Sequence, residues 1–244
     1  MKIAVSSPSF SLTDFEVIAE KISKHFKAWE IVAEGKHYLW DIKQKLSSYE
    51  LEILVHAPLS DINIGSLNKA MMKESLKQIA ETIKTASQLA LKLVTIHPAC
   101  YSPLGVLAKA KVKELCKQSL KELGKVGREY GVRIALENMP KQDFTMCHTL
   151  GECIELINDN VELCFDVGHA NTANAIAEFL TYSKEYADIH LHDNLGIKDE
   201  HLPLGKGNID FKKILNLNYN NFYVIECRNL EEAVESKKYL ENLF

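Results

Sequence analysis

Between Tyr186 and Phe211 the chain reads YADIHLHDNLGIKDEHLPLGKGNIDF, placing His190, His192, Asp193, Asp199, Glu200 and His201 between a short apolar run and the next helical stretch. Asp, Glu and neutral His bind divalent transition metals. The glycines among them let backbone fold closely around a site. Similar residues recur upstream and downstream in His56-Ala57-Pro58, His97-Pro98, Glu137-Asn138, Asp166-Val167-Gly168-His169 and Glu226. If these converge, nine donors (His56, His97, Glu137, Asp166, His169, His190, Asp199, His201 and Glu226) suffice for up to three divalent ions bridged by carboxylates. Repulsion among Glu137, Asp166, Asp199 and Glu226 would be severe without cations.

Convergence depends on the elements that carry these residues. The alternation of β-like and helical stretches predicts strands at Lys2–Ser6, Trp29–Ala33, Leu51–His56, Leu93–His97, Val132–Glu137, Val161–Asp166, Ala187–Leu191 and Phe222–Glu226. Helices are expected from a Thr13/Glu16 capping box to about His25, over Tyr38–Leu46, from about Asn68 to Leu91, and over Val106–Tyr130, where Gly131 ends the helix. Further helices are expected over Leu150–Ile157, Ala173–Ser183, about Phe211–Leu215 and Leu230–Leu243. Eight βα units without a linker predict a single (β/α)8 TIM barrel spanning residues 1–244, with a doubly wound open sheet as the structural alternative. Right-handed connections then put every strand's C-terminal end on one face. His56, His97, Glu137, Asp166, His190 and Glu226 all fall at such ends. Asp199 and His201 alternate in what reads as an extended segment and can point the same way.

Bulk composition narrows the class. The chain has 244 residues, 46% hydrophobic and 25% charged, without the signature of disorder. No apolar run approaches a membrane span, and MKIAVSSPSF lacks a signal peptide's apolar region, so a cytoplasmic protein is expected. The six cysteines form no C-x-x-C pair and read as reduced, mostly buried thiols. A net charge of −4 with scattered lysines argues against strong nucleic-acid binding.

The ordered motifs, extending through Leu204-Gly205-Lys206-Gly207-Asn208-Ile209-Asp210, resemble the xylose-isomerase-like barrel superfamily, which holds sugar isomerases and epimerases together with the endonuclease IV branch of abasic-site repair enzymes. The resemblance covers the whole chain. For the sugar epimerases it implies one divalent ion held by Glu137, Asp166, His190 and Glu226. His190 with Asp193 matches the family spacing better than His192 does. The endonuclease branch implies additional metal ligands at His56, His97, His169, Asp199 and His201, with up to three zinc ions.

Short loops after strands two and seven, Leu59 after His-Ala-Pro, and the ending Ile209-Asp210-Phe211 favour the sugar branch. The expectation is therefore an isomerase or epimerase of a small sugar or sugar phosphate, using Mn, Mg, Co or Zn. Glu137 and Glu226 exchange the proton through an enediolate, and His169, His56 and His97 contact substrate. The alternative is a zinc-dependent hydrolase of abasic-site DNA, gripped through Lys36, Lys69, Lys141, Lys198 and Lys206.

Overall fold

The computed structural model describes residues 1–182, 185–217 and 219–243. In chain order the elements are β1 (Lys2–Ser6), α1 (Phe15–Ser23), β2 (Ala28–Val32), α2 (Leu39–Ile42), β3 (Glu52–His56), α3 (Lys69–Gln88), β4 (Leu93–Ile96), α4 (Pro103–Val106) and α5 (Lys109–Tyr130). There follow β5 (Arg133–Glu137), α6 (Leu150–Ile154), β6 (Glu162–Asp166), α7 (Val167–Thr172), α8 (Ile176–Phe179), β7 (Asp188–Leu191), α9 (Phe211–Leu215), β8 (Phe222–Glu226) and α10 (Leu230–Glu241). The eight strands are parallel and close in sequence order, with β8 returning to β1 so that Ser6 lies opposite Glu226. This is the single (β/α)8 barrel that the strand count predicts, not an open sheet.

Period-two alternation divides each strand between two environments. Val5, Trp29, Ile31, Val55, Ile96, Leu136, Phe165, Ile189 and Ile225 join one cluster with helix residues such as Ile18, Ile22, Ile83 and Leu120. Their neighbours along the strands turn into the bore. Ala4, Ala28 and Val224 fill one level of it, and Ala135 and Cys164 another. The remaining inward positions are polar and buried, among them Glu30, Thr95, Glu137, Asp166, Asp188 and His190. A bore lined this way is organised around charge rather than hydrocarbon. No helix among the described residues is long and apolar enough to cross a membrane.

Several expected boundaries move for local reasons. Thr13 is not a helix cap; its N–H bonds Phe10 O at 3.0 Å, ending a 3-10 turn over Pro8–Leu12. The cap position of α1 belongs to Asp14, which makes no capping bond, while its carboxylate pairs with Lys36 at 2.7 Å. The Tyr38–Leu46 helix shrinks to α2 between 3-10 turns at Gly35–His37 and Leu46–Ser48. The Val106–Tyr130 helix divides at Ala108, whose φ of −133° and ψ of 40° are not helical. In place of a helix over Ala173–Ser183, α7 starts directly from β6, because the Asp166 side chain accepts the His169 N–H at 2.6 Å. Asn174, at φ 53°, separates it from α8, and Ser183 lies outside the described residues.

The seam between α5 and β5 offers a test of this packing. A Cβ added to Gly127 would stand 2.6 Å from the Val132 carbonyl oxygen and 2.8 Å from Ile134, whereas one on Gly151 meets nothing closer than 3.7 Å. Gly127→Ala should cost about 1–3 kcal/mol, lowering the thermal unfolding midpoint, while Gly151→Ala leaves it unchanged. Equal midpoints for the two variants would mean that the seam is looser than described.

Candidate active site

Glu137 ends β5, is 1% exposed, and is surrounded by imidazoles. His56 Nε2, from the end of β3, lies 3.1 Å from its Oε2, and His97 Nε2, just beyond β4, lies 3.3 Å from the same oxygen. On the other side, His169 Nδ1 is 3.3 Å and His190 Nδ1 3.6 Å from Oε1. Burial pushes the Glu137 carboxyl up, but the imidazoles, His190 foremost, outweigh it and hold the group well below the carboxylate range. For His56, burial acts downward, yet the Glu137 hydrogen bond and charge prevail and lift it to about 9. The His56 Nδ1–H donates to the Ala57 carbonyl at 2.7 Å, which leaves Nε2 as the atom aimed at the site.

Three donor groups share this region. Ligand atoms of Glu137, Asp166, His190 and Glu226 lie within 4.8 Å of one another, as do those of His56, His97 and Glu137, and those of His169, His192, Asp199 and His201. In the first group Glu226 Oε1 is 3.2 Å from His190 Nδ1. Burial raises the Glu226 carboxyl, but His190 pulls it down to about 2. Asp166 is fixed by Asn138, whose amide donates to the Asp166 carbonyl at 2.9 Å and accepts the Asp166 N–H at 2.8 Å. The Asn138 carbonyl also accepts the His169 Nδ1–H at 2.8 Å, turning Nε2 toward Asp199 Oδ2 at 3.4 Å.

All nine residues singled out by the sequence therefore meet at one mouth. Asp199 and His201 do so without an extended segment: His201 sits at φ 46° and its Nε2 is 3.4 Å from Asp199 Oδ2. A left-handed histidine is a strained conformation of the kind that clusters at functional sites. Burial raises the Asp199 carboxyl, but hydrogen bonds to His169 and His201 reverse this and drive it far down.

His190, which fits the family spacing better than His192 does, lies with Glu137, Asp166 and Glu226, while His192 joins His169, Asp199 and His201. The His192 Nε2 lies 3.1 Å from Asp166 Oδ1 and 3.5 Å from Asp199 Oδ1, and its ring stacks on His201 at 3.8 Å. A Cβ on Gly168 would stand 2.1 Å from this ring, so the Gly of D-V-G-H makes room for it. His192 lies just past the end of β7, two residues beyond the inward-facing His190.

The donor chemistry fits a divalent ion. Asp166 Oδ2, both ring nitrogens of His190 and of His192, and Asp199 Oδ1 are buried without a hydrogen-bond partner among the described residues. Orphaned polar atoms are costly, and a cation supplies their missing partner. Mixed imidazole and carboxylate donors suit zinc, cobalt or manganese.

Asp193, by contrast, serves the loop and not the cluster. It is fully buried, and its carboxylate accepts the backbone N–H groups of Asn194 (2.9 Å), Gly205 (2.9 Å), Gly207 (2.8 Å) and Ile209 (3.3 Å). One charge thus folds the segment carrying Asp199 and His201. A Cβ at Gly207 would stand 2.2 Å from the Asp193 carboxylate, which accounts for that glycine. Two of the five lysines expected to grip DNA are already engaged, Lys36 with Asp14 at 2.7 Å and Lys206 with Glu235 at 2.9 Å. Asp193→Asn should cost about 3 kcal/mol in denaturant unfolding and lower the bound metal, because an amide N–H₂ would face donors. An unchanged midpoint with full metal content would refute this role.

Comparison with known proteins places the chain in a family. The chain is 36% identical over 259 residues to an uncharacterized protein of Methanocaldococcus jannaschii, covering 99% of this chain and 88% of the relative. A probable endonuclease 4 of Mycoplasmoides gallisepticum is 25% identical over 227 residues, covering 83% of this chain and 73% of that protein. The solved structure of a D-tagatose 3-epimerase-like protein superposes with a TM-score of 0.89 at 34% identity, covering 99% of this chain and 96% of the other. Residues 19–243 match the family described as Xylose isomerase-like TIM barrel, and the chain belongs to that family.

Proposed function

We propose that the protein is a divalent-metal-dependent isomerase or epimerase of a small sugar or sugar phosphate. The observation that carries this reading is the pairing of two buried carboxylates, Glu137 and Glu226, on strands three apart in an eight-strand ring and around one donor cluster with Asp166 and His190. Likeness to the D-tagatose 3-epimerase-like protein supports the substrate class.

Glu137, Asp166, His190 and Glu226 would hold the ion, which would supply Lewis-acid stabilisation of negative charge on a substrate carbonyl oxygen and its neighbouring hydroxyl. Glu137 and Glu226, both kept deprotonated by adjacent imidazoles, then divide the proton transfer. One removes the C–H proton; the other, once it has taken up a proton from solvent, gives it to the opposite face, which inverts the centre, whereas return of the abstracted proton to the neighbouring carbon gives isomerisation. His56, His97 and His169 line the approach and orient substrate oxygens. His97, 25% exposed on its side chain, is the most open of these three.

A second reading, a zinc-dependent hydrolase of abasic-site DNA, is favoured by one observation: His56, His97, His169, Asp199 and His201 complete two further donor groups beside the first. The likeness to a probable endonuclease 4 points the same way. Under that reading Glu137 and Glu226 are ligands, and nucleic acid is the partner.

Two sets of variants separate these. Glu137→Gln and Glu226→Gln should each stay folded and lose turnover on ketoses by about 10²–10⁴-fold. Retained activity in either would remove that residue from proton transfer. His97→Asn should mainly raise KM for the sugar and leave the four-ligand ion in place. Cleavage of an abasic-site duplex by the parent protein, abolished in His97→Asn together with one zinc per chain, would establish the hydrolase instead.

A further inference from the structure

Below the donor cluster the bore holds two acidic side chains that the proposed chemistry leaves unused. Glu30 stands in the middle of β2 and Asp188 opens β7. These strands are not neighbours in the ring, so the two carboxylates meet only because both turn inward. The residue between them is His190. Its Nδ1 faces the donor group, 3.2 Å from Glu226 and 3.6 Å from Glu137, while its Nε2 faces downward, 3.4 Å from Glu30 Oε2 and 3.6 Å from Asp188 Oδ2.

We infer that Glu30, assisted by Asp188, is a positioning residue that holds the Nε2–H of His190 and so fixes the tautomer and ring orientation presenting Nδ1 to the ion. This rests on the reading of His190 as a metal ligand. The two carboxylates are not equivalent. Asp188 Oδ1 already accepts the Ile189 N–H at 3.0 Å, and Oδ2 accepts the Thr95 hydroxyl at 3.4 Å. Both Glu30 oxygens are buried without a partner among the described residues, as is His190 Nε2. A separation of 3.4 Å slightly exceeds the usual N–H···O range of about 2.7–3.2 Å, and a small rotation of either side chain closes it. Each is the other's nearest remedy for an orphaned polar atom.

A second ion in this lower pocket is the competing explanation, since Glu30, Asp188 and His190 also bring three donor atoms within 4.8 Å. The pocket argues against it. Both Asp188 oxygens already accept hydrogen bonds, from the Ile189 N–H and the Thr95 hydroxyl. The imidazole would also have to lose both protons to bridge two ions. A carboxylate that takes the far N–H of a metal-binding histidine needs neither, and such partners typically matter by about 10–100-fold in metal affinity.

The test uses the full chain labelled with 15N-histidine and loaded with 113Cd, followed by NMR and by competition for the ion with a chelator. The parent protein should show Cd coupling at His190 Nδ1 and a low-field, slowly exchanging Nε2–H. Glu30→Leu, which removes the acceptor at similar volume, should weaken the ion about 10–100-fold and lose that proton signal. Glu30→Gln, which retains a neutral acceptor, should restore part of both. Should Glu30→Leu not fold, the near-isosteric Glu30→Gln carries the test, with an affinity loss and an upfield shift expected.

Unchanged affinity and an unmoved Nε2–H in Glu30→Gln and Asp188→Asn would overturn the inference while His190→Asn still weakened the ion. If His190→Asn itself left affinity unchanged, the four-ligand reading would fail instead. Loss of one whole ion per chain in Glu30→Gln would establish a buried metal and overturn the positioning role.

Discussion

The physical constraint on which the site depends is the burial of one carboxylate, Glu137, among four imidazoles. A lone ionised carboxylate in a closed bore is prohibitively costly, and neutralising it with a proton would remove the base that the proposed chemistry needs. Here His56 at the end of β3, His97 just beyond β4, His169 in α7 and His190 in β7 supply the compensating field. Each of them must be delivered at the right height, so the electrostatics of one side chain constrain the register of half the barrel. The pairing of Glu137 with Cys164 and of Asp166 with His190 keeps these ends level.

That constraint explains why the bore is built in layers. Small apolar residues such as Ala4, Ala28 and Val224 close one level, where hydrocarbon is inexpensive. Polar inward residues lie at and beneath the mouth, where each needs a partner or an ion. The same ordering separates two kinds of acidic residue. Glu137 and Glu226 face histidines that keep them ionised, whereas burial lifts the Glu30 carboxyl to about 7 in spite of His190. Asp193 illustrates a third solution, in which four backbone N–H groups stand in for a counter-ion and the charge organises a loop. Environment, and not residue type, separates these acids: histidines hold two ionised, burial lifts a third, and backbone N–H groups satisfy a fourth.

Much of this was legible in the sequence because a polar residue ending an apolar β-run has few roles in a parallel barrel. His56, Glu137, Asp166 and Glu226 could be placed on one face from strand register alone, and they are the last residues of their strands. Residues whose meaning depends on distant partners were not legible. Glu30 sits inside the run AWEIV, where an inward charge only makes sense once His190 is known to lie across the bore. Thr13 matches a capping pattern, yet a 3-10 turn claims it. The place of His192 in the second donor group depends on its ring stacking on His201 and on the space left at Gly168, tertiary facts that no spacing encodes.

Under the proposed function this field serves proton transfer at a sugar carbon next to a carbonyl. The most direct measurement is incubation of the metal-loaded protein with a panel of ketoses in deuterium oxide, followed by NMR at each carbon. Deuterium should enter at the carbon adjacent to the carbonyl of at least one sugar, with incorporation absent after metal removal and restored on its return. No exchange in any ketose, with abasic-site duplex nicked by the same preparation, would contradict that function.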